Sequence, residues 1–258
     1  MKKTIYVLSI TFLMLQACST SENASDNTNT NSNSILLKKI IEIDPQGTYT
    51  TIFEYNGSKV VKVNSLFNNN LIRTANYTYS GNLVTEVNVY GNTNNLVEKD
   101  IYSYNSDSKV TSFIELDYLN NIGSRATYNY NLNGTISSSE YEGSLTSQTT
   151  LKETKTITFS NGEVSTLFEQ IGTTTKTSNY TYDNKNSPFK NILGNDKLSY
   201  CVFRTFTSEI NHNLTKINKV QSGLSNLVSN FQYTYNSSDY PTLKSSVEYP
   251  NQTTQYFY

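Results

Sequence analysis

The chain predicts an all-β fold: a long antiparallel up-and-down meander of about 16 strands, closed or nearly closed into a barrel. Three observations predict it. An aromatic-x-aromatic pair keeps returning, each copy runs into a turn and then into aliphatic residues, and the composition suits strands. The 258 residues include 21 Tyr and only 16% charged side chains. That mix favours pleated, half-buried surfaces and tight turns over helices.

The pairs are Phe53/Tyr55, Tyr77/Tyr79, Tyr102/Tyr104, Tyr128/Tyr130, Tyr180/Tyr182, Tyr233/Tyr235 and Tyr256/Tyr258, with Ile157/Phe159 as a degenerate copy. Their second members step by 24, 25, 26, 29, 23, 53 and 23 residues. A fixed period of this size marks a repeat architecture, and the step of 53 reads as two periods with one copy overwritten. Tyr55 leads into Asn56-Gly57 and Val60-Val61, Tyr79 into Gly81-Asn82 and Leu83-Val84, Phe159 into Asn161-Gly162 and Val164. A short Asn-Gly loop between apolar runs is the strongest local hairpin signal. Intervening turn residues at 68–70, 91–95, 120–123, 143, 172 and 222–223 split each period into two strands.

Within 109–118, Val110, Ile114, Leu116 and Tyr118 alternate with Lys109, Thr111, Glu115 and Asp117. This predicts one buried and one wet face, with the two acids on the wet one. A long meander protects its edges by closing, and a ring of about sixteen strands is too wide for side chains to fill without a plug or flattening. Leu198, Val202, Phe206 and Ile210 recur at i+4 behind Asn195 or Asp196, which supports a short helix near 196–210 as that plug. The same stretch also alternates, so a strand stays open there.

The N-terminus carries a different kind of information. Lys2 and Lys3 precede an apolar run from Ile5 to Leu15 that ends in Leu15-Gln16-Ala17-Cys18. The run is about half the length a bilayer-spanning helix needs, and its flanks are those of a cleaved secretory signal. Residues 1–17 are therefore read as a signal peptide and 18–34 as an anchored tether. Residues 35–258 form a single repeat-built domain. Ser19 to Ser34 is almost wholly polar, too poor in apolar surface to offset the entropy of ordering. Without Lys2 and Lys3, 18 basic residues face 21 acidic ones, a net charge of -3. No basic stripe marks a nucleic-acid partner.

The start at 15–18 resembles a bacterial lipoprotein signal, which implies diacylglycerol and a fatty acid such as palmitate on Cys18. With the repeats, with Tyr180-Thr181-Tyr182-Asp183-Asn184-Lys185-Asn186-Ser187-Pro188-Phe189 and with Ser238-Asp239-Tyr240-Pro241-Thr242, the chain resembles Tyr-rich tandem-hairpin lipoproteins of the Bacteroidota. Some of these are described as having a porin-like β fold. The units are also similar to the Tyr-Asp repeats (YD/RHS-like) of large secreted shell proteins, although only Tyr182-Asp183 keeps the Asp. The resemblance implies an outer-membrane or cell-envelope address and no known activity, catalytic residue or cofactor.

Chemistry is sparse. The single histidine, His212, rules out a multi-His metal site and reads as a solvated surface residue, while Cys201 among Tyr200, Val202 and Phe203 reads as a buried inert thiol. Glu115/Asp117 and Glu140/Glu142 sit two apart, so each pair shares a strand face about 7 Å apart. That spacing lies within the range used in glycoside hydrolysis, but alternation puts both pairs on the solvated side. The repeated Tyr pairs read as cross-strand packing ladders. The expected function is a non-enzymatic, membrane-anchored binding or scaffolding module for a glycan or envelope-protein ligand. The alternatives are a pore-forming outer-membrane barrel and a carbohydrate-active hydrolase.

Overall fold

The computed structural model describes residues 34–201 and 209–258; the signal, Cys18 and most of the tether lie outside them. Sixteen strands follow one another: β1 (Lys39–Asp44), β2 (Gly47–Asn56), β3 (Lys59–Phe67), β4 (Asn70–Ser80), β5 (Leu83–Gly91), β6 (Leu96–Tyr104), β7 (Val110–Asp117) and β8 (Ile122–Tyr130). The second half has β9 (Ile136–Ser144), β10 (Ser147–Ser160), β11 (Glu163–Ile171), β12 (Thr174–Asn186), β13 (His212–Gln221), β14 (Leu227–Tyr235), β15 (Pro241–Ser246) and β16 (Thr253–Phe257). Each pairs antiparallel with its sequence neighbours, and β1 pairs with β16, so the sheet is a closed barrel. Closure leaves no edge to recruit another chain.

The turns follow local chemistry. Asn68-Asn69 and Asn161-Gly162 hold positive φ at both central positions of two-residue loops (47° and 66°, 52° and 78°). This is the twist that antiparallel strands need, and Asn and Gly supply it at least strain.

The aromatic repeat is explained by what happens just inside the Tyr-bearing turns. In six hairpins the register slips immediately before the second aromatic: β2/β3, β4/β5, β6/β7, β10/β11, β12/β13 and β14/β15. A bulge of this kind interrupts the hydrogen-bond ladder. In each case a carbonyl beside the slip accepts a hydroxyl from the following hairpin. Tyr79 Oη donates to Val60 O (3.0 Å), Tyr104 to Val84 O (2.7 Å), Tyr130 to Val110 O (2.9 Å) and Tyr182 to Val164 O (2.8 Å). Tyr233 donates to Leu214 O (2.8 Å) and Tyr258 to Pro241 O (2.9 Å), and Tyr55 to Leu37 O (2.5 Å) completes the ring. The β8/β9 hairpin has no slip. The next aromatic there is Phe159, which has no hydroxyl to donate. The degenerate copy thus falls where its partner is missing.

Two expectations are corrected. The step of 53 is no lost copy: β12 pairs directly with β13, and the extra residues form one excursion between them, 187–211. The described helical part of that excursion is a single turn, α1 (Asn195–Leu198), rather than a helix over 196–210; Val202 and Phe206 lie outside the described residues. The described part of the excursion packs against one end of the barrel. Leu193 N donates to Ser58 O, Asn191 Nδ2 to Ile35 O and to Tyr240 Oη, and Tyr128 Oη to Cys201 O. These partners come from well-separated points around the ring, so the excursion crosses and caps one end. Phe189, Ile192, Leu198 and Cys201 join one core with Val60, Val84, Tyr102, Phe113, Tyr128 and Val164.

The hydroxyl ring sets two expected stabilities. Tyr104→Phe strands the Val84 carbonyl and should lose about 1–3 kcal/mol in urea unfolding. Phe159→Tyr gains nothing, because it adds a half-buried hydroxyl opposite a hairpin with no slip. A stabilising Phe159→Tyr would contradict the pairing of slip and hydroxyl.

Candidate functional site

The interior has two halves. Near the cap it is mainly apolar apart from one carboxylate cluster, Glu163, Asp183 and Glu209; toward the far end it is charged. Register assigns the facing. Val87 and Val89 are buried core residues paired with Asp100 and Glu98, which in turn pair with Glu115 and Asp117. Directly opposed residues share a sheet face, so all four acids point into the barrel. Ala126 and Ser124 likewise carry Glu140 and Glu142 inward. The expected solvated placement of both acid pairs is therefore overturned. For Glu115 and Asp117 the cause is the slip between Ser103 and Tyr104, which flips the alternation between Val110 and Phe113 and sends Ile114 and Leu116 outward.

Burial of these charges is matched by partners. Lys155, whose side chain is 4% exposed, lies 3.0 Å from both Glu140 and Glu153. Lys176 meets Glu169 at 2.6 Å, Lys152 meets Glu142 at 2.6 Å, and Arg73 reaches Glu98 at 3.4 Å. Asp117 accepts the backbone N–H of Leu119 and Asn120 and so caps its own turn. Burial raises the Glu153 carboxyl above the usual carboxylate range, with Lys155 pulling it back.

The capped end holds a second polar cluster. Glu163 accepts the backbone N–H of Ile210, Asn211 and His212 at 3.1, 2.7 and 2.9 Å. Asp183 accepts from Asn213 N, Lys185 N and Tyr235 Oη. Glu209 accepts from Leu214 N, and its Oε1 lies 3.1 Å from Tyr233 Oη, which shares its one proton between Glu209 and Leu214 O. These carboxylates replace ladder bonds that the excursion interrupts, and they pin its return to β13. A shallow pocket of about 240 Å³ opens beside it, lined by Lys190, Asn191, Leu193, Asp196 and Asn211 among others.

His212 is not free on the surface: its Nδ1 sits 3.2 Å from Glu163 Oε1. Cys201 is buried, its thiol donates to Lys197 O at 3.1 Å, and burial pushes its ionisation well upward. A thiol held protonated is a poor nucleophile. The Tyr pairs turn inward as packing and hydrogen-bonding groups, and burial lifts Tyr79 to about 12. Among the described residues no group of three or more His, Cys, Asp and Glu is placed to hold a metal ion.

The outer face carries charge pairs and hydroxyl and amide side chains alongside apolar residues such as Ile114 and Leu116. Lys62 pairs with Glu54 at 3.2 Å and Lys99 with Glu86 at 2.7 Å, both on the side opposite the core residues. Thr158, Thr166 and Asn179 lie side by side across β10 to β12.

Lys155 gives the sharpest test of the charged half. Lys155→Met leaves Glu140 and Glu153 without their shared buried cation and should lose about 3–5 kcal/mol at neutral pH. Without the cation, the burial that already raises the Glu153 carboxyl is no longer opposed, and its folded-state pKa climbs further above the unfolded value. Ionisation then opposes folding, and the deficit shrinks as pH falls toward the unfolded carboxylate range near 4. Urea titrations of both proteins at pH 7 and pH 4 measure it; an equal deficit at both would contradict the inward ion-pair assignment.

No family model and no curated protein matches the chain. Among solved structures, the chain is similar to a porin-like protein from Bacteroides uniformis, with 14% identity and a TM-score of 0.53 over 86% of this chain and 97% of that one. At this identity the likeness is one of fold: a porin-like β barrel.

Proposed function

We propose that the chain is a non-enzymatic lipoprotein of the cell envelope, held at the outer membrane by lipid on Cys18, whose barrel is a binding or scaffolding module for a glycan or envelope-protein ligand. One observation carries most of this reading. The outer face bears the pair Glu86 and Lys99 in mid-strand, where a barrel that crosses lipid carries an apolar band, with Lys62 and Glu54 nearer the capped end. A barrel with this surface stands in water and needs its attachment from elsewhere. The Leu15-Gln16-Ala17-Cys18 sequence supplies a candidate, and more than one acyl chain makes such an anchor durable.

The pore reading draws support from sixteen strands and from the likeness to a porin-like protein. Against it stand the charge pairs on the exterior and the excursion across one end. The hydrolase reading loses ground because Glu140 and Glu142 are held by Lys155 and Lys152 and Asp117 by its turn.

Labelled palmitate should enter the wild-type chain in cells and not Cys18→Ser. Residues 18–258 carrying Cys18→Ser should purify without detergent and add no conductance to a planar bilayer. A protein that needs detergent and conducts would overturn the reading in favour of the pore.

A further inference from the structure

The exposed large apolar side chains are unevenly placed. Among the described residues, only Leu132 and Phe257 lie toward the capped end. The rest gather toward the far end, and hairpin after hairpin contributes one there: Ile43, Leu71, Leu119, Ile171, Leu224 and Tyr249. Leu119, Leu224 and Tyr249 sit on the turns themselves, 62%, 65% and 59% exposed. Isolated exposed apolar residues need no explanation; a ring of them around one end of a barrel does.

We infer that this far rim docks on a lipid bilayer surface. The tips are spread around a circle with Asn, Ser and Thr between them, so they form no single contiguous patch of the kind a protein partner packs against. A fluid bilayer demands no such complementarity, and aliphatic and aromatic tips partition into its interface one by one.

The chain outside the structure fits this occupant. It joins the barrel at the capped end, where Ile35 O accepts from Asn191 and Lys38 pairs beside Phe257. A stretch of sixteen residues, the number from Ser19 to Ser34, can reach at most roughly 55 Å. A nine-residue strand is about 30 Å long and tilted. That reach exceeds the length of the wall, so attachment at the capped end is compatible with the far rim facing the membrane that holds Cys18. Confinement raises the local concentration of rim and lipid, so weak insertion of each tip suffices. The inference rests on the lipid-anchor reading for that confinement.

The chain has no Trp, so single Trp reporters are unambiguous. The mature chain from residue 18 is coupled through the Cys18 thiol to maleimide-bearing phosphatidylcholine vesicles, with Leu119→Trp, Leu224→Trp or Leu132→Trp. The expected result is a blue shift and quenching by brominated phosphatidylcholine at 119 and 224, with the 132 reporter remaining wet. Wet reporters at 119 and 224, or quenching confined to 132, would overturn the inference and leave the rim to a protein partner. Circular dichroism matching the wild type checks that each variant folds. Because the anchor is supplied chemically, a Cys18 found unmodified in cells would refute the anchor reading without altering this outcome.

Discussion

A single recurring hydrogen bond organises this barrel: a tyrosine hydroxyl on one hairpin donating to a carbonyl beside the register slip of the hairpin before it. The slip is useful because it increases local twist and lets the sheet curl. It also loosens a carbonyl inside the core, where an unpaired acceptor is expensive. A Tyr from the aromatic pair of the next repeat, the second member in most and Tyr233 as the first member in one, satisfies that acceptor. The period of the sequence, the closure of the sheet and the aromatic lining near the cap all follow. Phe159 shows the rule by exception, since the hairpin before it has no slip.

The slips also set which face each side chain takes. They put charged residues inside the far half of the barrel, where Lys155 and its two carboxylates replace apolar packing. Such groups bring little net stability once desolvation is counted. They do fill the width of a sixteen-stranded ring, whose other end is filled by rings and by the excursion after β12. The exterior carries charge pairs such as Lys99 with Glu86.

Much of this architecture was legible in the sequence. The aromatic pairs marked the strands, the Asn-Gly loops marked the hairpins, and their number demanded closure and a plug. What stayed hidden has identifiable causes. A slip is one residue in size and flips every later side chain, so Glu115 and Asp117 looked wet on simple alternation. Glu140 and Glu142 were readable in principle: they share the parity of Ile136, which is buried. The step of 53 suggested a missing repeat because spacing alone does not separate deletion from insertion. His212 was misjudged for another reason. Its partner Glu163 lies 49 residues away, and no local pattern announces such a pair. The charged residues inside the barrel are held by partners on neighbouring strands.

The hydroxyl ring can be observed directly. In protein labelled at the tyrosine Cζ carbon, the deuterium isotope shift in mixed water reports hydroxyl protons that exchange slowly. Tyr55, Tyr79, Tyr104, Tyr130, Tyr182, Tyr233 and Tyr258 should each show a resolved pair of lines, while the exposed Tyr49 and Tyr249 show averaged ones. Averaged lines at all of these positions would mean that the hydroxyls meet water rather than carbonyls, and the account of closure given above would fail.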